Sequence, residues 1–494
     1  MYRLALCGLA LVAACPVAVL ADPAQLAADE GNPAPGEAAA PAVPAQPAPG
    51  EPGFTTQLFA SSRTSLLGDI FGLRTWAGQY GVSIGLQETS EVLGNVTGGV
   101  HTGFDYDGQT MFSIGVDTSK FGWEGGIFNV SAFQIHGRDL STDNLYTLQT
   151  ASGIEAQDST RLWELWFQQS FLDGKMDLKI GQLSLDQEFI TSAGAGAFIN
   201  TMMGWPVVPS YDLYAGGPAY PLSSLGVRLR GEPSSALTLL GGVFDDNPPG
   251  GPFDNDSQTR GREQYGAQFN LNTGALFIAE ADYAINQPSE GQLVSASGAS
   301  HGLPGTYKLG AWFDTASFPD PRIDNSGMSL AAPGSTGIAR QHQYNFSVYG
   351  VADQTVWRPD PNQPLMVNLF TRIMGAPSDR NLISFGLNAG VVVKAPLPGR
   401  DNDTFGVGYG LAKVSGSASQ LDKDINFYTG TGIPVRSSES FIEVTYQYQI
   451  APWWQAQPDF QYVFNPGAGL PNPLEPPTRI RNEAVLGLRT VVTF

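Results

Sequence analysis

The 494-residue sequence holds 59 glycines and 36 prolines but only 15% charged residues, a balance that fits strands joined by many turns and argues against a helix-rich protein. A formal net charge of −20 excludes a reader of the nucleic-acid backbone, which needs a basic surface. The two cysteines, Cys7 and Cys15, leave nothing downstream for a disulfide or a thiolate metal site.

Taken in chain order, Met1 to Ala21 has Arg3 as its only charge, an apolar run from Leu4, and Val19-Leu20-Ala21 before Asp22, so it reads as a secretory signal peptide cut after Ala21. Val12-Ala13-Ala14-Cys15 is the competing feature, a lipoprotein box that would leave Cys15 lipidated. Residues 22–53 are an Ala/Pro-rich linker unable to bury a core. In the segment 54–80, Leu66, Ile70, Leu73 and Trp76 are spaced as on one short amphipathic helix, expected under a barrel mouth. No later stretch has the roughly 18 apolar residues of a membrane-spanning helix.

From residue 81 to 494 the pattern becomes short alternating segments such as Met176-Asp177-Leu178-Lys179-Ile180 and Ile442-Glu443-Val444-Thr445-Tyr446. A period of two gives one apolar and one polar face, which suits a soluble sandwich as well as a membrane barrel. Two features favour the barrel. Aromatics gather at segment ends, as at Trp163, Trp166 and Phe167 or Trp453 and Trp454, where a girdle would sit. Tight turns (172–174, 231–235, 272–274, 397–400) alternate with long connections (94–108, 138–159, 189–221, 247–261, 415–438), as between periplasmic and extracellular ends. The expected fold is therefore all-β, a transmembrane antiparallel β-barrel with short periplasmic turns and long extracellular loops.

Candidate strands start near 81, 110, 126, 161, 175, 222, 236, 262, 275, 306, 342, 364, 382, 403, 439, 456 and 481, which makes seventeen. Bacterial single-chain barrels have even numbers. Either 81–91 is no barrel strand and a middle one is misplaced, giving sixteen, or 316–341 hides another, giving eighteen.

Several segments resemble the carbohydrate-selective porins of the OprB type: Leu67-Gly68-Asp69 with Gly72-Leu73-Arg74-Thr75, Glu164-Leu165-Trp166-Phe167-Gln168-Gln169, Ile180-Gly181-Gln182, Leu303-Pro304-Gly305-Thr306-Tyr307, Gln354-Thr355-Val356-Trp357-Arg358, Pro458-Asp459-Phe460-Gln461-Tyr462 and Gly487-Leu488-Arg489. The resemblance runs from about residue 64 to the end. It implies a sixteen-stranded outer-membrane barrel passing monosaccharides such as glucose down their gradient, without a cofactor.

Selecting a sugar in a water-filled pore calls for groups that match hydroxyls, and an Arg fork of donors beside carboxylate acceptors does this. Setting Phe494 outward turns Glu483 and Arg489 into the lumen, with Ala484, Leu486, Leu488, Thr490 and Val492 toward lipid. The same phase sends Glu164, Asp177, Lys179, Arg228, Arg230, Arg372, Glu443 and Asp459 inward; with Trp166 these are the pore-lining candidates, although any porin lumen carries charge ladders. Loop 189–221, rich in aromatics, is expected to fold into the barrel and narrow it, with Trp205, Tyr211 or Tyr214 offering a ring face to sugar; a lid over neighbouring loops or a trimer contact is the alternative.

Catalysis finds little footing. His101, His136, His301 and His342 lie in or beside loops without metal-ligand spacing, so no metal site is expected. Gly94-Asn95-Val96-Thr97-Gly98-Gly99 and Gly406-Val407-Gly408-Tyr409-Gly410 lack the following helix of a phosphate cradle. A general or anion-preferring porin and a secreted β-rich carbohydrate-binding protein are the competing functions. The ending at Phe494 resembles the signal read by the barrel-assembly machinery, a partner during insertion. Monomer and homotrimer both fit, since a trimer patch would be hidden among lipid-facing residues that look apolar.

Overall fold

The computed structural model describes residues 63–250, 265–287, 302–360 and 363–494. The expected signal peptide, linker and residues 54–62 lie outside them, as do His301 and most of the connection 247–261. Among the described residues sixteen strands close into one antiparallel barrel, each paired with its neighbours in sequence and the first with the last. They are β1 (Val82–Gly99), β2 (Gly103–Asp117), β3 (Gly126–Gly137), β4 (Ser159–Phe171), β5 (Met176–Leu183), β6 (Ser224–Ser234), β7 (Leu237–Asp245), β8 (Ala275–Ile285), β9 (Gly305–Asp324), β10 (Ala339–Trp357), β11 (Met366–Gly375), β12 (Ile383–Lys394), β13 (Thr404–Val414), β14 (Ser438–Ala451), β15 (Trp454–Phe464) and β16 (Arg481–Thr493). Closure leaves no unpaired strand edge, the condition for a sheet in lipid.

The odd count of seventeen resolves by losing the candidate at 262. Residues 265–274 are irregular and belong to the β7–β8 connection, so 272–274 is not a turn between strands. Segment 81–91 is a barrel strand after all, and 316–341 hides no additional one. There β9 simply runs on to Asp324 and β10 begins at Ala339, a long hairpin. The expected loop 94–108 is mostly strand, with a connection of only 100–102.

Alternation sorts the side chains. Val92, Leu229, Leu309, Ile373 and Leu488 are exposed on the outside, while their strand neighbours Glu91, Arg228, Lys308, Arg372 and Arg489 turn inward. Leu66 and Ile70 precede the helix, which is α1 (Leu73–Gln79) and buries only Ala77. Its segment ties to the other terminus: Leu66 N–H donates to the Thr493 carbonyl at 2.7 Å, and Arg74 donates to the Phe494 carbonyl. Two girdle assignments fail. Trp163 and Trp166 are 4% and 3% exposed and point inward, Trp163 packing against Phe133 with the rings tilted by 37° and centroids 4.5 Å apart. The bulge opposite Val130–Ala132 breaks the simple alternation just here. Trp123, Phe171, Tyr283, Trp357 and Tyr448 are exposed at the short-turn end instead.

Candidate functional site

The interior is occupied by the β5–β6 connection, residues 184–223, which contains α2 (Thr201–Gly204) and α3 (Val207–Asp212). Seven strands lie between β5 and β13 on either side of the ring of sixteen, so a segment touching both must cross the lumen. It does. Phe198 and Met203 pack on β13 at Gly406 and Gly408, where an added Cβ would come within 2.9 and 2.8 Å of them. Val207 meets Gly386 of β12 in the same way. Gly386, Gly406 and Gly408 form the seat of this loop.

Polar strand residues hold the loop by its backbone. Arg372 of β11, 1% exposed, donates to the carbonyls of Ile190 (3.2 Å), Met202 (2.7 Å), Met203 (2.5 Å) and Gly204 (2.6 Å). Glu443 of β14 accepts the N–H groups of Ile199 (2.5 Å) and Asn200 (3.2 Å). Asp353 of β10 accepts Ser192 Oγ and Gly194 N–H, both at 2.8 Å, and Glu280 of β8 accepts Ile190 N–H at 2.8 Å. Amides complete the ring: Gln457 donates to the Ala197 carbonyl at 3.0 Å, and Asn200 donates to Gln461 at 3.0 Å.

The β3–β4 connection, residues 138–158, also enters the barrel. Glu439 of β14 accepts Leu148 and Gln149 N–H at 2.8 and 2.7 Å, while Thr201 N–H donates to the Thr150 carbonyl at 3.0 Å. Within it Glu155 accepts Ser141 N–H and Oγ, both at 3.0 Å, and burial together with Asp107 and Asp139 pushes its pKa well up. Burial, with Asp143 and Asp158 nearby, raises that of Asp139 to about 6.

The expected pore-lining residues all point inward but divide into three groups. Glu164, Trp166, Lys179, Arg228 and Arg230 gather on the β4–β6 wall. Lys179 Nζ sits 4.2 Å from the Trp166 ring centroid, and Glu164 accepts Ser184 N–H at 3.0 Å and Trp166 Nε1 at 3.2 Å. Arg228 pairs with Asp177 and Glu188, Lys179 with Glu188, and Arg230 with Asp177 at 3.2 Å and with Glu232. Burial works to raise the Glu188 pKa, but Lys179 and Arg228 outweigh it and hold the group below the usual glutamate range. Arg372 and Glu443 instead grip the loop. Asp459, 5% exposed, accepts Gln461 Nε2 at 3.0 Å, and Arg489 pairs with Glu91 across the β1–β16 seam.

Of the loop aromatics, Trp205 departs from the expectation of a ring face open to sugar. Trp205 is 1% exposed and donates through Nε1 to the Gly216 carbonyl at 2.9 Å, so it forms the loop's own core. Tyr211 donates to the Leu148 carbonyl at 2.8 Å; Tyr214 stacks on Phe318 at 4.9 Å and donates to the Ser317 carbonyl. Trp205 is thus closed off, while Tyr211 and Tyr214 are half-buried and tied down through their hydroxyls. The sequence reading missed Glu439, Glu280, Asp353 and Gln461, although each stands on the inward phase of its strand; only their loop partners, far away in sequence, reveal the role. Among the described residues no cluster of three metal-ligating side chains occurs.

The sequence profile described as "Carbohydrate-selective porin, OprB family" matches residues 101–494. "Porin B" of Pseudomonas aeruginosa is 24% identical over 439 residues, covering 85% of this chain and 90% of that protein. "Putative porin QuiX" of Acinetobacter baylyi is 22% identical over 436 residues, covering 84% and 91%. The high-pH structure of Pseudomonas putida OprB superposes with a TM-score of 0.74 at 23% identity, covering 88% of this chain and 99% of that one, a likeness of fold.

Proposed function

The chain belongs to the carbohydrate-selective porin family of the OprB type, and on that premise we propose that monosaccharides such as glucose cross it passively, past the loop spanning residues 184–223. It is an outer-membrane sugar porin, a channel and not an enzyme. The observation that carries the finer reading is the loop itself, which reaches the far wall and leaves solute to pass beside polar strand residues rather than through an open tube. On the wall of Glu164, Lys179, Arg228, Arg230 and Asp177 the accessible edge, Arg230 beside Glu232, is our candidate contact, because guanidinium and carboxylate groups side by side donate to and accept from neighbouring hydroxyls, and the buried pairs behind hold it in place.

An anion-preferring pore is the weaker reading. Lys179 and Arg228 are matched by Glu188 and Asp177, so this wall presents paired charge and little net positive field. Single-channel recording decides: glucose in the millimolar range should reduce the current, and phosphate should not. Current indifferent to glucose and altered by phosphate would reverse the assignment.

A further inference from the structure

Where β7 ends and β8 begins, three carboxylates stand together without a base. Asp245 closes β7, Asp246 follows it, and Asp314 faces them from β9, which pairs with β8 here through Leu276 and runs on to Asp324. They are 3%, 0% and 0% exposed. None takes part in an ion pair among the described residues, whereas other inward carboxylates do, Asp177 with Arg228, Glu280 with Lys308 and Glu91 with Arg489.

The hydrogen bonds around this group leave two oxygens over. Asp245 Oδ1 accepts Asn247 N–H at 3.2 Å and Asn270 Nδ2 at 3.0 Å. Asp246 Oδ1 accepts Thr273 Oγ1 at 2.6 Å and Gly274 N–H at 2.8 Å, and Asp314 Oδ1 accepts Ala316 N–H at 2.8 Å. The second oxygen of Asp246 and that of Asp314 are buried and have no donor, although the two side chains lie within hydrogen-bonding reach of each other. Gly274 keeps the space beside them clear. A Cβ there would come within 2.4 Å of Asp246 Oδ2 and 3.3 Å of Ala316 Cβ.

We infer that Asp246 and Asp314 hold a hard divalent cation of the calcium class. Two buried carboxylates this close do not both stay ionised unaided, because each raises the cost of the other's charge. A shared proton would cancel one charge of the three and leave Asp245 and its neighbour without a base. A divalent cation cancels the facing pair and takes both orphan oxygens as ligands. The donors at hand are oxygens alone, with the Thr273 hydroxyl beside the carboxylates and no His or Cys, which suits calcium and not zinc or copper. His and Cys spacing in the sequence says nothing about such a site. An ion here would clamp the end of β7 to β9 and steady the crossing loop as well, since Tyr214 stacks on Phe318 and donates to the Ser317 carbonyl just beyond Asp314.

The test uses the full chain purified in detergent. Terbium, which occupies calcium sites, should luminesce on tryptophan excitation, because Trp312 stands two residues from Asp314 on the same inward face of β9. Calcium should quench that signal by displacement. Asp246→Asn and Asp314→Asn should each weaken calcium competition several-fold while keeping the heat-dependent gel shift of a closed barrel; Asp139→Asn, elsewhere among the acids of the mouth, should not. Calcium in place of a chelator should raise the temperature of that gel shift by several degrees in wild type and leave it unmoved in Asp314→Asn, since a ligand stabilises the state that binds it. Terbium luminescence that survives both substitutions would overturn the inference. So would a wild type indifferent to calcium and less heat-resistant than Asp246→Asn at every calcium level, the behaviour of a pair that shares a proton only.

Discussion

Arg372 illustrates what a lumen-facing charge does here. Alternation put it inside, and its guanidinium then went to four loop carbonyls rather than to open water. Hydrogen bonds to a charged group contribute about 1.5–3 kcal/mol each, non-additively, so Arg372→Ala should free the loop while the barrel stays closed. Single-channel conductance should rise and sugar block should weaken, with Arg372→Lys intermediate because one ammonium cannot span four acceptors. Asp139 gives a pH signature. Its folded pKa near 6 exceeds the unfolded value of about 3.9, so the folded state holds the extra proton between those limits. Stability is then greatest below pH 4, falls as pH rises through about 6, and is level beyond. Urea midpoints for Asp139→Asn should diverge upward from wild type across that window; a constant difference from pH 4 to 8 would contradict the assignment.

At the scale of elements, the loop and its glycine seat are complementary shapes. Gly406 and Gly408 leave room for Phe198 and Met203, so Gly408→Val should lift the loop from β13 with the strand ladder intact. The expected readout is higher conductance with an unchanged heat-dependent gel shift; unaltered conductance would mean that the loop accommodates the branch. Strands were largely legible in the sequence because facing lipid or lumen imposes period two on every segment. Candidate 262 misled because a connection that packs on the wall keeps enough apolar residues to imitate a strand, and even bonds to the sheet: Leu162 N–H of β4 donates to the Tyr265 carbonyl at 2.9 Å. Period two says which way a side chain points, not what meets it there. Glu443 was placed inward correctly, yet it grips backbone rather than lining open water, because its partners come from a loop that obeys no periodicity.

For the whole molecule, closure depends on the seam where β1 meets β16, in register from Gln87–Thr493 to Gly99–Arg481 with two shifts. Glu91 and Arg489 are direct partners across it and nearly fully buried. Arg489 therefore serves closure of the ring as well as the lining of the lumen. Its replacement by alanine leaves a buried carboxylate without its counter-charge, a loss of roughly 3–5 kcal/mol in comparable pairs. Arg489→Ala should therefore lower the temperature of the gel shift, and the double variant with Glu91→Gln should recover much of it; a single variant as heat-resistant as wild type would refute the pairing's importance.

The meeting of the termini carries one more consequence. Leu66 and Thr493 share a hydrogen bond, and Phe494 N–H reaches the Leu86 carbonyl at 2.9 Å, so both ends leave from the same rim. A short tether from Phe494 to residue 63, with the chain opened in the 376–382 connection, would preserve every strand neighbour while giving the ring a different beginning. Such a circular permutant separates two things that natural order keeps together: the geometry of the ring, which has no first strand, and the order in which a cell reads it, which ends on an aromatic.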